Sequence, residues 1–578
     1  MKTRVHTGAH PISDGSISPE PQAFPEDDGR WQYWRASLVR TDAHRDTLLL
    51  LASLLVVAIF LAHGLHQCKE LAFSEDEPRH ALTGVYFADF LSDLPLSDPV
   101  GYTYRYYAQY PALGLVHWPP LYHLSEGVMF LVFGRSVETA RLTTMLFALL
   151  GLFFWFKIVL RFAGRWAAAF STIALALLPS IFLYERSVML EVPSLAIAMA
   201  AAYFWFEFLR TGRNSLLYAF AGSAGLAILT KQHSVFLLPL CLLTLVVERK
   251  WRLLLRWHAV GAALLSGILV LPYYALTLRV HGASIAEHVV QKRAYTWGDA
   301  TFYIDLLPRQ LGWPLLALSI LGVPILLRWG RRQTARMMLL WIIACYLTFT
   351  FLRAREGRYI FYWLPPFVYF AAWPLILSLS KRWSRIAALA CLLVISHYGW
   401  QAWRSAQYPQ LSGYSDLARW FSSLPGGRQV ILYDGSYNGN FIFQMRVHDP
   451  RRRFIVLRKG LYVMHIVKYF GGQQLVKTPE DLQSLLAEYG IRYIVVSDDQ
   501  DIMWFPVQRM LRDALHHPQF KLVRTFPVEF GDRGESRHAK LFVYENLSAA
   551  APSARYLRVP MLTLERDIVV PLDEIGGR

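Results

Sequence analysis

Charge is scarce in this chain. Asp, Glu, Lys and Arg make up 17% of its 578 residues, against roughly 25% in soluble domains, while 54% are hydrophobic and the mean hydropathy is +0.27. The deficit excludes an ordinary water-soluble globule and points to a membrane protein. Acidic residues are the scarcer sign, 42 against 59 Lys and Arg, for a net charge of +17. A nucleic-acid binder would gather that excess on one face. Here it recurs in short clusters at the ends of apolar runs, where it sets orientation and meets anionic headgroups, so nucleic acid is excluded as a partner and membrane lipids are expected. Cysteine is rarer still: Cys68, Cys241, Cys345 and Cys391 are scattered, three of them inside apolar runs. With no CxxC spacing, zinc ribbons, dithiol redox motifs and a disulfide framework are excluded. A glycine-rich dinucleotide fingerprint is missing too, as is any visible inverted repeat of the transporter kind.

The chain opens on a polar stretch rich in Pro, Ser and acid, with no basic segment leading into a short apolar core, so residues 1–45 read as a disordered cytoplasmic tail and 46–63 as a retained first span. Ten further apolar runs of membrane-crossing character lie near 141–160, 167–184, 192–209, 216–230, 235–247, 258–278, 311–327, 337–352, 359–379 and 386–401. The pair 216–230 and 235–247 is short and poorly separated. The run 119–133 is ambiguous, because it is short and opens on Pro119-Pro120. If it does not cross, the clusters at Lys157/Arg161/Arg165, Arg210/Arg213, Arg249/Lys250/Arg252/Arg256, Arg328/Arg331/Arg332/Arg336 and Lys381/Arg382/Arg385 all fall on the cytoplasmic side. The opposite face then collects the long loop 66–118, shorter loops around 185–191, 231–233, 279–310 and 353–358, and everything after Trp403. The expected architecture is an α-helical polytopic membrane domain over 46–403, with about 11–13 spans, followed by an extracytoplasmic α/β domain over 404–578. In the latter, strand-length runs at 429–433, 454–457, 493–497 and 541–544 alternate with helical patterns at 416–424 and 479–489.

Chemistry belongs on the outer face. Ser74-Glu75-Asp76-Glu77-Pro78-Arg79-His80 follows the first span directly. If Pro78 opens a helix, Asp76 and Glu77 sit at its start, where a carboxylate can act as a base and an arginine can neutralise an anion. The same spacing also describes an ordinary acidic helix start. Arg353, Arg355 and Arg358 break the positive-inside rule on the outer face, as phosphate contacts or as an interfacial cluster paired with Glu356. Lys231 interrupts two apolar runs, and Glu191 begins a span on the same side as Asp76. Asp76, His80 and Glu191 have the chemistry to hold Mg, Mn or Zn, although no ligand spacing demands a metal. His117 and His123 flank Trp118-Pro119-Pro120, where they orient substrate or serve as interfacial packing.

These residues, in this order, resemble the GT-C superfamily of integral-membrane glycosyltransferases, in the branch of protein O-mannosyltransferases and bacterial aminoarabinose transferases that modify lipid A. The likeness runs from Asp76-Glu77 and Arg79 through Pro119-Pro120-Leu121-Tyr122-His123, Gly134-Arg135 with Arg141-Leu142, Glu185 to Glu191, and Gly225 to Lys231, ending at Arg358-Tyr359 to Pro365. It implies a sugar donor on a polyprenyl phosphate and inverting transfer to a hydroxyl of a protein, glycan or lipid. Asp76 would be the base with Glu77 assisting or orienting, and Arg79, Lys231, Arg353, Arg355 and Arg358 would bind the donor phosphate. Glu191, His80, His117 and Tyr359 would lie toward the acceptor or a metal. Two departures stand out: His117-Trp118 replaces a Glu-Lys pair of the aminoarabinose enzymes, and Glu191 replaces an Asp. The implied location is a plasma (inner) membrane with a cytoplasmic N-terminus. The rival readings are a lipid or sugar transporter, which would carry charge at mid-membrane, and a non-catalytic scaffold or sensor.

Overall fold

In the computed structural model, residues 42–115, 117–289, 295–329, 332–352, 355–377, 381–464, 471–499, 503–532, 535–561 and 567–576 are described. Of the expected tail, residues 1–41 lie outside them and Ala43–Arg45 already belong to the first helix. The chain is a multi-pass membrane protein. Among the described residues, five helices are long and apolar enough to cross: Ala43–Gln67, Val137–Ala163, Glu191–Thr211, Trp257–Val280 and Arg385–Ser405.

Several expected spans are bent or broken, and the sequence explains where. The run 167–184 folds as Arg165–Ala176 and Pro179–Arg186, which meet at 72°; Pro179 lacks the N–H that would continue the helix. The run 311–327 begins at a 118° corner between Trp297–Leu311 and Trp313–Arg328, turned by Gly312 at φ 73°, a conformation that favours glycine. The run 359–379 is no single helix. A 3-10 segment, Gly357–Trp363, leads into Leu364–Ala371 and Trp373–Ile376, cut by Pro365, Pro366 and Pro374. The ambiguous run 119–133 forms the helix Leu121–Phe133, about 20 Å long at 1.5 Å per residue and too short for a 30 Å hydrocarbon core.

The loop after the first span is folded. Its helices Glu77–Asp93 and Pro99–Gln109 share a core with the C-terminal domain, in which Leu71, Leu82, Tyr86 and Tyr110 pack with Leu417, Phe421, Tyr433 and Phe441. That domain is built on a six-stranded sheet. Its strands are β1 (Gln410–Ser412), β2 (Gln429–Asp434), β3 (Phe454–Leu457), β6 (Tyr493–Ser497), β7 (Phe520–Asp532) and β8 (Glu535–Asn546), in the order β1-β7-β8-β6-β2-β3. β3, β2 and β6 are parallel neighbours, and β7 and β8 form a long antiparallel hairpin. β4 (Tyr462–Met464) pairs with β5 (Gly472–Gln474), and β9 (Tyr556–Val559) with β10 (Ile568–Pro571).

Buried polar ties lock loop and domain together. Glu70 accepts from Asn440 Nδ2 and from the Ser415 N–H, each at 2.8 Å. Asp89, with no exposed side-chain surface, receives Arg446 at 2.6 Å, Arg135 at 2.7 Å and the Tyr106 hydroxyl at 2.7 Å, and Arg452 approaches to 3.3 Å. Burial alone would raise the Asp89 carboxyl, but Arg446 and Arg452 outweigh it and hold the group below the usual aspartate range. The domain is therefore seated directly on the loop that carries the candidate chemistry.

Candidate active site

The turn entering Glu77–Asp93 is organised by Ser74, whose hydroxyl oxygen accepts from the N–H of Asp76 at 3.2 Å and of Glu77 at 3.3 Å. Pro78 follows in the first helical turn, where its missing N–H leaves nothing unsatisfied. Asp76 precedes the helix and keeps about a quarter of its side chain exposed, at 28%. Glu77 is fully buried. Its two oxygens accept from the N–H of Phe73 at 2.9 Å and of Val188 at 3.1 Å, with Arg141 at 3.8 Å. Val188 lies three residues before Glu191, so Glu77 fastens the Asp76 turn to the start of the helix Glu191–Thr211.

Arg358 joins the pieces. Its guanidinium is 3.3 Å from Asp76, 3.4 Å from Glu191 and 2.5 Å from Glu356. Lys231 reaches Glu191 at 2.6 Å. Tyr359 completes the group, donating to Glu356 at 3.3 Å beneath the Lys231 ammonium, which is 5.3 Å from its ring centre. Asp76, Glu191, Lys231, Arg358 and Tyr359, spread over 284 positions from Asp76 to Tyr359, thus form one cluster at the ends of the membrane helices. Such a cluster can accept a proton at a part-exposed carboxylate and present two fixed cations to an oxyanion.

The other candidates make separate contacts. Arg355 pairs with Asp299 and donates to the Thr350 carbonyl. Arg353 lies outside the described residues. Arg79 points toward the C-terminal domain: a methyl group placed on Gly439 would come within 3.8 Å of its Cγ. His80 is buried, 3.0 Å from His123 and packed on Trp118 with ring centres 4.2 Å apart. Burial first, then His123, Lys231 and Arg358, push its imidazole well below the usual range, so it is neutral. His117 is exposed, edge-on to Trp118. The metal set Asp76, His80 and Glu191 is not assembled, and among the described residues no three His, Cys, Asp or Glu side chains converge as metal ligands. Sequence reasoning passed over His233, whose ring lies 4.4 Å from Tyr359; its place two residues after Lys231 was the available signal.

Comparison with solved structures bears on this arrangement. The crystal structure of ArnT from Cupriavidus metallidurans in the apo state superposes with a TM-score of 0.59, covering 89% of this chain and 100% of that one at 16% identity. The chain has the GT-C fold. The same enzyme bound to undecaprenyl phosphate gives a TM-score of 0.58 at 17% identity, over 87% of this chain and 98% of that one. Residues 117–275 also match the family model of dolichyl-phosphate-mannose-protein mannosyltransferases. No curated protein matches the sequence. The GT-C fold accounts for the helical membrane domain capped by a water-exposed α/β domain.

Proposed function

We propose that the protein transfers a sugar from a polyprenyl-phosphate donor to a hydroxyl acceptor on the extracytoplasmic face of a plasma (inner) membrane. The observation that carries this reading is Arg358, which brings the part-exposed Asp76 carboxylate and the Glu191–Lys231 pair to one point. Asp76 removes the acceptor hydroxyl proton. The oxygen attacks the anomeric carbon from the face opposite the phosphate, the carbon–oxygen bond to phosphate breaks, and polyprenyl phosphate leaves with the electron pair. Configuration inverts. Arg358 and Lys231 neutralise the charge that grows on the leaving oxygens, a task suited to guanidinium in a water-poor site. Glu77 holds the turn and does not touch substrate. The basic clusters of the short loops support a cytoplasmic N-terminus and an α/β domain on the outer side.

The reading is supported further by the undecaprenyl phosphate bound to the ArnT structure and by the mannosyltransferase match over 117–275. Turnover tests it. Purified protein mixed with a bacterial membrane-lipid extract should convert polyprenyl-phosphate sugars to free polyprenyl phosphate, followed by mass spectrometry, and Arg358→Gln should abolish the conversion. Equal conversion by Arg358→Gln would remove the assigned site.

A further inference from the structure

A second set of cations flanks the Asp76 helix on the side facing the α/β domain. Arg458 and Lys459 directly follow β3, and so lie beyond the carboxyl end of the parallel β3-β2-β6 segment. In open α/β sheets this edge is where ligands bind. Here it faces the loop that follows the first span. Arg458 is half-buried and donates to the Pro111 carbonyl at 3.3 Å. Lys459, also half-buried, donates to the Tyr107 hydroxyl at 2.9 Å and the Pro560 carbonyl at 3.3 Å, with Met561 Sδ at 3.1 Å. Arg79 approaches from the helix Glu77–Asp93, and its guanidinium has no hydrogen-bond or ion-pair partner among the described residues.

No carboxylate forms an ion pair with any of the three among the described residues. Glu75, which is exposed, weakly opposes the charge of Arg458. The lack of compensation registers on the groups themselves. Burial, and then the neighbouring Arg79, push Arg458 down to about 10. Burial would raise the Tyr107 phenol, yet Lys459, Arg458 and Arg79 together hold it below its usual range. By contrast, Lys231 and Arg358 are matched by Glu191, Glu356 and Asp76. With Lys459 on the Tyr107 phenol and Arg458 on the Pro111 carbonyl, both half-buried and neither paired with a carboxylate among the described residues, the site is short of one anion.

We propose that Arg79, Arg458 and Lys459 bind a phosphate group of the acceptor. This rests on the transferase reading and deepens it. Arg79 lies three residues after Asp76 at the start of the same helix, so an acceptor anchored there by phosphate has a nearby hydroxyl within reach of the base. The donor phosphate takes the Lys231 and Arg358 side. The α/β domain thereby becomes part of the acceptor site, and acceptors without an anionic group are poor substrates.

The test uses full-length protein in neutral detergent with 3-fluorotyrosine at position 107, read by fluorine NMR. Inorganic phosphate should shift the resonance saturably, where chloride at equal ionic strength does not. Arg458→Gln and Lys459→Gln should each weaken phosphate binding by about tenfold or more, while Lys459→Arg retains it and serves as the control for folding. Undecaprenyl phosphate, added first, should leave the phosphate response intact. If it abolishes that response, the pocket belongs to the donor and the acceptor assignment is wrong. A shift equal for phosphate and chloride also overturns the proposal. Because no sugar transfer is measured, either failure leaves the turnover result, and the transferase reading, standing on its own.

Discussion

Adjacent carboxylates have opposite fates at the start of the Glu77–Asp93 helix. Asp76 faces the Arg358 guanidinium and solvent, whereas Glu77 uses both oxygens to accept backbone N–H groups. Asp76→Asn should therefore fold normally and lose about 10²- to 10⁴-fold in transfer rate, the range of a missing general base, in the turnover assay above. Glu77→Gln behaves differently. Its amide must aim an NH2 at the Phe73 or the Val188 N–H, a buried clash of donors costing about 1–3 kcal/mol, so its melting temperature should fall well below those of wild type and Asp76→Asn. A Glu77→Gln protein as stable as wild type would show that the carboxylate does not organise this turn. The Asp-Glu pair was legible in the sequence, but the division of roles was not. It depends on Val188, 111 positions away, and no local pattern reports a contact of that range.

Helix packing sets tolerance to change at the scale of elements. Gly322, in Trp313–Arg328, lies so close to Leu364–Ala371 that an added methyl group would fall 2.1 Å from the Phe370 carbonyl oxygen. Backbone cannot step aside as a side chain can. Gly322→Ala should lower thermal stability by about 1–3 kcal/mol, whereas Gly267→Ala, whose new methyl would meet only Leu271 Cδ1 at an ordinary 3.6 Å, should be neutral or stabilising by up to about 1 kcal/mol. Melting curves in detergent separate the two, and equal effects would contradict the packing described. Apolar runs revealed most helices, and strand-length runs located β2, β3 and β6. The breaks at Pro179 and Pro365-Pro366 were visible as prolines, yet hydropathy averaged over a window hides them. The β7–β8 hairpin was mostly missed because β7, with Lys521, Arg524 and Glu529 exposed along it, lacks the continuous apolar run that marks a buried strand. Arg79 was expected beside the donor phosphate with Arg358. Its stem lies against the helix Asn438–His448, where Gly439 leaves room for Pro78 and Arg79.

For the whole molecule, the Asp89 cluster holds the α/β domain on the loop that carries Asp76. Asp89→Asn leaves Arg446 buried without its counter-charge and should cost about 3–5 kcal/mol, seen as faster hydrogen exchange in Asn438–His448. The pH dependence has a definite sign. The folded-state Asp89 pKa is depressed, so its stabilisation is fully present above the unfolded aspartate value, about 3.9, and is lost as pH falls through the lower folded value. Wild type and Asp89→Asn should differ at neutral pH and converge in strong acid; a constant difference would assign the effect to packing alone.

The proposed reaction turns on Asp76 taking the proton during transfer from a polyprenyl-phosphate sugar. Its most direct test is to purify wild type and Asp76→Asn from the same membranes and identify the lipids each retains by mass spectrometry. Asp76→Asn should hold an intact polyprenyl-phosphate sugar and wild type the spent polyprenyl phosphate. If neither retains such a lipid, in a preparation where a known transferase does, the donor assignment is wrong.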